Sequence, residues 1–154
     1  MRQILSTVIT LLWALWFGGV LMLFIAVSSL FVTFHDRHDL AGQAAARIFR
    51  VFNAYQLALA AGSLIATFIW YVLGPPRLKM GLFTLFGLAT FAACVITLYI
   101  APKIEMLQRE AETHSTQFAR LHGTSMMAYL AEALLLLIAG ILLSRMHRSE
   151  GATR

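Results

Sequence analysis

Four long apolar stretches alternate with short polar ones along the chain: Ile4–Phe34, Ala54–Leu73, Met80–Ala101 and Ser125–Leu143. Each is about as long as the 20 or so residues an α-helix needs to cross a bilayer, or longer. Gly74-Pro75-Pro76 stops the second stretch. Pro102 is expected to stop the third, because proline has no amide hydrogen and disfavours helix just before it. The first stretch far exceeds the roughly 7–15 residues of a signal-peptide core, so it reads as a span. Helical character also runs past the apolar stretches on one side. Asp39 is a plausible N-cap for a helix that starts near Leu40 and continues into the second span. Ile104, Leu107, Ala111, His114, Phe118, Leu121 and Ser125 recur at spacings of three and four, which is one helical face. At the same period the stripe reaches Ala128 and Glu132, so one long helix is expected from Lys103 through the fourth span, its first part (103–122) amphipathic.

Composition makes the apolar stretches membrane spans rather than core helices. The 154 residues are 60% hydrophobic and 12% charged, with mean hydropathy +0.77. A soluble domain is roughly half apolar and about a quarter charged. The expectation is an all-α, polytopic membrane protein: one domain over 1–154, a four-helix bundle with helices two and four extended beyond the bilayer on one side. The net charge of +5 comes from residues flanking the apolar stretches, where they anchor helix ends, so it does not point to nucleic acid.

Four spans put both termini on one face. That face carries Arg2, Arg77, Lys79, Arg145, Arg148 and Arg154; the other carries Arg37, Arg47, Arg50, Lys103, Arg109 and Arg120. Six basic residues on each face leave the positive-inside rule nearly silent. The denser positive charge on the termini face favours cytoplasmic termini. The minimal loops favour a bacterial inner membrane. The single cysteine, Cys94, excludes an intramolecular disulfide and a thiolate cluster.

Glu132 is the only formal charge within the four apolar stretches. An ionisable group at membrane depth costs about 2.5 kcal/mol or more, which marks it as a candidate functional site. Ser125 and Tyr129 share its helix face, and Asn53, Tyr55, Gln56, Ser28 and Ser29 are further candidate partners. No lysine or arginine lies at its depth, so the carboxyl is expected to be neutral and Glu132→Gln to be tolerated by the fold. His35, His38, His114 and His122 all fall on the face opposite the termini, near Asp36, Asp39 and Glu105. Imidazole and carboxylate together suit a transition metal. The alternative is four interfacial histidines bonded to water and loop carbonyls. Haem ranks behind metal, because no histidine lies at mid-membrane, and His35 with His122 is the pair it would need. Gly18-Gly19, Ala58, Ala60, Ala61, Gly62 and Gly140 read as close-packing positions between helices. Trp13 and Trp16 lie well inside the long first span, and Trp70 lies near the interface, where tryptophan is common. A phosphate loop, a zinc-protease motif and a nucleophile elbow are all missing from the sequence.

The motifs resemble a known family. Trp16-Phe17-Gly18-Gly19 is similar to its W-x-G-G, and Leu40-Ala41-Gly42 through Arg47-Ile48-Phe49 to its A-G-x-x-x-x-R-x-F opening of helix two. Pro102 and then Phe118 through His122-Gly123-Thr124-Ser125 resemble its proline after helix three and its F-x-x-x-H-G-x-S start of helix four. The family is that of transmembrane protein 205 and its bacterial relatives, long filed as a domain of unknown function. The resemblance implies a four-helix membrane protein without an established catalytic activity. Its eukaryotic member is associated with resistance to platinum drugs, which implies metal or xenobiotic handling. By position, Trp16, Gly19, Pro102, Phe118, His122 and Ser125 carry the family signature, and Glu132 does not.

The expected function is non-enzymatic: binding or moving a small cation or metal species in the bilayer, with the histidines at the outer mouth and Glu132 deeper on the same helix face. The alternatives are an accessory subunit of a larger membrane complex or homo-oligomer, and a small haem-binding redox module.

Overall fold

The computed structural model describes residues 2–73, 77–110 and 115–151, with side chains described over 3–73, 80–110 and 115–146. Every regular element among them is helical. The elements are α1 (Arg2–Thr33), α2 (His38–Val72), α3 (Arg77–Val95), a π-helical turn (Ile96–Ile100), α4 (Ala101–Arg109) and α5 (Thr116–Gly151). Four rods are long and apolar enough to cross a membrane: Gln3–Thr33, His38–Val72, Met80–Arg109 and Thr116–Met146. They pack as a ring in chain order, α1 on α2, α2 on α3, α3 on α5, with α5 closing back onto α1. Short connections between consecutive rods make this an up-and-down bundle.

The outer surface is apolar, unlike that of a water-soluble bundle, and several polar side chains are buried among the core residues. Leu11, Met22, Ile25, Ile65, Phe91 and Leu134 are exposed on the outside, whereas Gln56, Ser63, Thr67 and Glu132 are buried. Lipid favours that arrangement, because apolar surface has no reason to leave a bilayer while polar side chains do. The ring is drawn tight by small buried residues, Ala60, Ala89, Ala93, Ala133 and Ala139. Of the other expected small contact positions, Ala58 and Ala61 face outward.

The structure departs from the sequence expectation in three places. Pro102 does not end the third rod. The chain passes through the π-turn, where the amide of Ala101 reaches back five residues to the carbonyl of Ile96, and α4 follows with proline in its first turn. The wider turn accommodates a residue that has no amide to offer, which is a common origin of a π-bulge beside proline. Consequently Lys103–Arg109 continues the third rod instead of opening the fourth, and the single helix expected from Lys103 to Leu143 is interrupted after Arg109. The fourth rod restarts at Thr116 behind Ser115, whose hydroxyl accepts from the amide of Phe118 at 3.1 Å as an N-cap. The third departure is Asp39. It lies in the first turn of α2 rather than at its cap; Arg37 takes the cap position with no side-chain hydrogen bond. The carboxylate there complements the positive end of the helix dipole.

Candidate functional site

A hydrogen-bonded polar core fills the middle of the bundle, and each rod contributes to it. From α1 come two indoles, three residues apart. Trp16 Nε1 donates to Glu132 Oε1 at 2.7 Å, and Trp13 Nε1 donates to the backbone carbonyl of Leu136, also at 2.7 Å. Both acceptors lie on α5, one turn apart. An indole N–H buried in lipid requires an acceptor, and a carboxyl buried there requires a donor, so each satisfies the other. The Trp16 ring is fully buried and stacks on Phe86 of α3, with centroids 6.2 Å apart. It therefore bridges the bundle diagonally.

The other diagonal is bridged by a second set. Tyr129 of α5 donates its hydroxyl to Asn53 Oδ1 of α2 at 2.6 Å. Gln56 Nε2 donates to the same Oδ1 and to Thr97 Oγ1 in the π-turn, both at 3.2 Å. Phe49 and Phe52 pack their rings on Tyr129. Asn53, Gln56, Ser63, Thr67 and Trp70 form one stripe on α2 at helical spacing, all buried. Polar residues on that stripe are what draw α2 inward despite its lower mean apolarity.

Glu132 and Gln56 each keep one oxygen without a protein partner: Glu132 Oε2 and Gln56 Oε1. The two helices run in the same direction, and the Tyr129–Asn53 bond fixes their relative height. Glu132 and Gln56 each lie three residues, about one turn, beyond the two partners of that bond. Both side chains are fully buried. The buried core thus holds a carboxyl oxygen and an amide oxygen that no protein group satisfies.

Tyr129, Asn53 and Gln56, expected as partners of Glu132, belong to this core, although none of them holds the carboxyl directly. Ser28, Ser29 and Tyr55 do not join it: both serines are exposed, and the Tyr55 hydroxyl donates to the Leu15 carbonyl at 3.1 Å. The residue that does hold Glu132, Trp16, was missed by sequence reasoning. Its signal was two tryptophans at i and i+3 deep inside a span, where an N–H has no water to bond.

The histidines are not drawn together by the described structure. His35, in the turn after α1, pairs with the adjacent Asp36 at 3.0 Å, and both are exposed. His38 opens α2 beside the ring of Phe31. His122 is exposed on α5 and stacks on Phe118, centroids 6.0 Å apart. His114 lies outside the described residues. Among the described residues no group of three or more histidine, cysteine, aspartate or glutamate side chains is placed to hold a metal. The acidic residue that organises this end of the bundle is Glu105. It accepts from Arg109 at 3.0 Å and from Arg50, tying the start of α2 to α4.

Of the positions that carry the resemblance, Trp16 is in the core, and Gly19 packs against Tyr55 and Phe52. Pro102 follows the π-turn, and Phe118 and Ser125 are half-buried along α5. A family model described as a domain of unknown function (DUF4149) matches residues 11–113. No curated protein and no solved structure matches the chain. The matched segment contains Trp16, Gly19, Asn53, Gln56 and Pro102 and stops before Phe118, His122, Ser125 and Glu132.

Proposed function

The chain belongs to the DUF4149 family of unknown function, matched over about two thirds of its length, and from that premise we propose that it is a non-enzymatic membrane protein that binds and moves a small hard cation, the proton first, at Glu132. The observation that supports this is the fully buried carboxyl with one oxygen held by Trp16 and the other left without a protein partner. A carboxyl in lipid without a basic partner is costly, and such groups mark proton and ion pathways. Trp16 holds the carboxyl in one orientation, leaving Oε2 as the atom that takes up and gives back the cation. Oxygen-only donors favour protons and alkali or alkaline-earth ions over the softer transition metals. The same chemistry argues against haem at this site.

The resemblance to the transmembrane protein 205 family, the bacterial inner membrane and cytoplasmic termini belong to this reading as well. The Phe118–Ser125 element that supports the resemblance lies on α5, about two to four turns before Glu132.

The test is reconstitution. Purified protein in vesicles loaded with a pH indicator, and separately a sodium indicator, is given an ion gradient. The expected result is a flux above that of empty vesicles that disappears in Glu132→Gln. Flux equal to that of empty vesicles for both ions, with no Glu132-dependent cation binding by calorimetry, would discard the proposal.

A further inference from the structure

Hydroxyls along the bundle follow two habits. Thr7, Thr10, Thr67, Thr84 and Thr124 each donate to the carbonyl four residues earlier, at 2.6 to 3.0 Å. That is the usual way to hide a hydroxyl in an apolar helix. Ser63 and Thr90 do not: their buried hydroxyl oxygens have no protein partner.

These two residues face each other. Gln56 meets Thr97 across the antiparallel pair α2 and α3. Seven residues, two turns, further along α2 is Ser63, and seven back along α3 is Thr90. Two more turns bring the register to Phe83, which packs against Phe68 and Tyr71 of α2 as the same pairing requires. The seam thus has a polar clasp at one end (Gln56 with Asn53 and Thr97), an aromatic closure at the other, and two unsatisfied hydroxyls between them. Glu132 stands beside it. Gly81 packs against Leu142, so the antiparallel pair α3 and α5 brings residue 132 level with Thr90 and Phe91. Its height lies between Gln56 and Ser63, and its free oxygen is buried there without a protein partner.

We propose that the seam between Ser63 and Thr90 is an internal water site adjoining Glu132, closed by the Gln56–Thr97 clasp on one side and by Phe68, Tyr71 and Phe83 on the other. Buried polar atoms in proteins are nearly always hydrogen-bonded, and an internal water with two to four polar neighbours is the usual partner when protein groups are not. Ser63 Oγ and Thr90 Oγ1 are such neighbours, with Glu132 Oε2 and, two turns from Ser63, Gln56 Oε1 further along the seam. Water between the two hydroxyls would accept from them, and a short chain of waters along the seam would reach the Glu132 carboxyl and Gln56 Oε1. It gives Oε2 its exchange partner for a proton, and in that respect the inference rests on the proposed cation role of Glu132.

Hydration can be measured independently of transport. In the full chain reconstituted in lipid, water-edited solid-state NMR reports how quickly magnetisation from water reaches each side chain. Ser63 and Thr90 are expected to receive it several-fold faster than Ile65 and Phe91, which face lipid on the same two helices. Build-up at Ser63 and Thr90 as slow as at those two controls would overturn the water site. The double variant Ser63→Ala, Thr90→Val gives a second measure. A hydrated seam should lose the fast transfer at Gln56 and leave the fold intact; a dry seam should show no change in transfer and a raised unfolding temperature. Fast transfer in a protein without Glu132-dependent flux retains the water site and removes the transport reading. Flux without hydration does the reverse.

Discussion

The Trp13 indole lies directly on the backbone of α5 at Gly140. A Cβ placed on Gly140 would come within 2.6 Å of Trp13 Cε2 and closer still to Cζ2, inside any tolerable contact. The same ring donates to the carbonyl of Leu136, one turn before the glycine. Small residues let helices approach in lipid, but here the reason is narrower: an aromatic ring occupies the space of one methyl group. Gly140→Ala should therefore push the ring off its acceptor. Overpacking of this kind costs about 1–3 kcal/mol. The unfolding temperature in detergent should fall, and Trp13→Ala should relieve much of the extra cost when combined with it.

Adjacent glycines on α1 separate a packing role from a neutral one. A Cβ at Gly19 would sit 3.0 Å from the Tyr55 ring and 3.2 Å from Phe52, whereas at Gly18 nothing lies within 4 Å. Gly18→Ala should be neutral or mildly stabilising, by up to about 1 kcal/mol from helix propensity. Gly19→Ala should lower stability unless Tyr55 yields, and Gly19→Leu should lower it clearly. Thermal unfolding of the two alanine variants side by side decides this, and equal effects would contradict the packing described.

Glu132 was legible in the sequence because one charge among four apolar stretches needs no structure to be noticed. So were the four rods, and the lower part of the α5 stripe: Phe118, Leu121, Ser125 and Ala128 are half-buried, and Tyr129 and Glu132 buried, as the spacing predicts. The rest depended on three-dimensional register. Periodicity cannot say which helix faces which, so Trp16 looked like any span tryptophan until its N–H met a carboxyl 116 residues away. Proline at 102 was misread because a helix stop and a π-turn start from the same missing amide. The stripe from Ile104 to Glu132 keeps its period in the sequence although Ile104 and Glu132 belong to different rods. Hydrophobic spacing records faces, not continuity, and the capping serine at 115 was the overlooked sign of a new start.

The tie between α5 and α2 rests on one phenol. Tyr129 donates to Asn53 at 2.6 Å, and Asn53 in turn accepts from Gln56. Interhelical hydrogen bonds in membranes average about 0.6 kcal/mol and reach about 1.7 kcal/mol. Tyr129→Phe keeps the ring packing against Phe49 and Phe52 and removes only the donor, so its cost should fall within that range. Asn53→Leu removes the acceptor shared by two donors and should cost more. Reversal of that order in an unfolding assay would mean that the network is held mainly by its aromatic contacts.

Three substitutions at the Trp16–Glu132 pair should rank by what each leaves unpaired. Glu132→Gln keeps an oxygen for the indole and adds no charge, so its stability should stay within about 1 kcal/mol of the parent. Trp16→Phe removes the donor and leaves the carboxyl in apolar surroundings, at about 1–3 kcal/mol. Glu132→Ala strands the indole N–H and opens a cavity as well, and should be the most damaging. Cation flux should follow a different order, lost in both Glu132 variants and altered but present in Trp16→Phe. That divergence is the informative result. A carboxyl retained only to fix helix packing would let stability and flux fall together and would leave Glu132→Gln active. A carboxyl that exchanges a cation makes Glu132→Gln a folded protein that no longer transports.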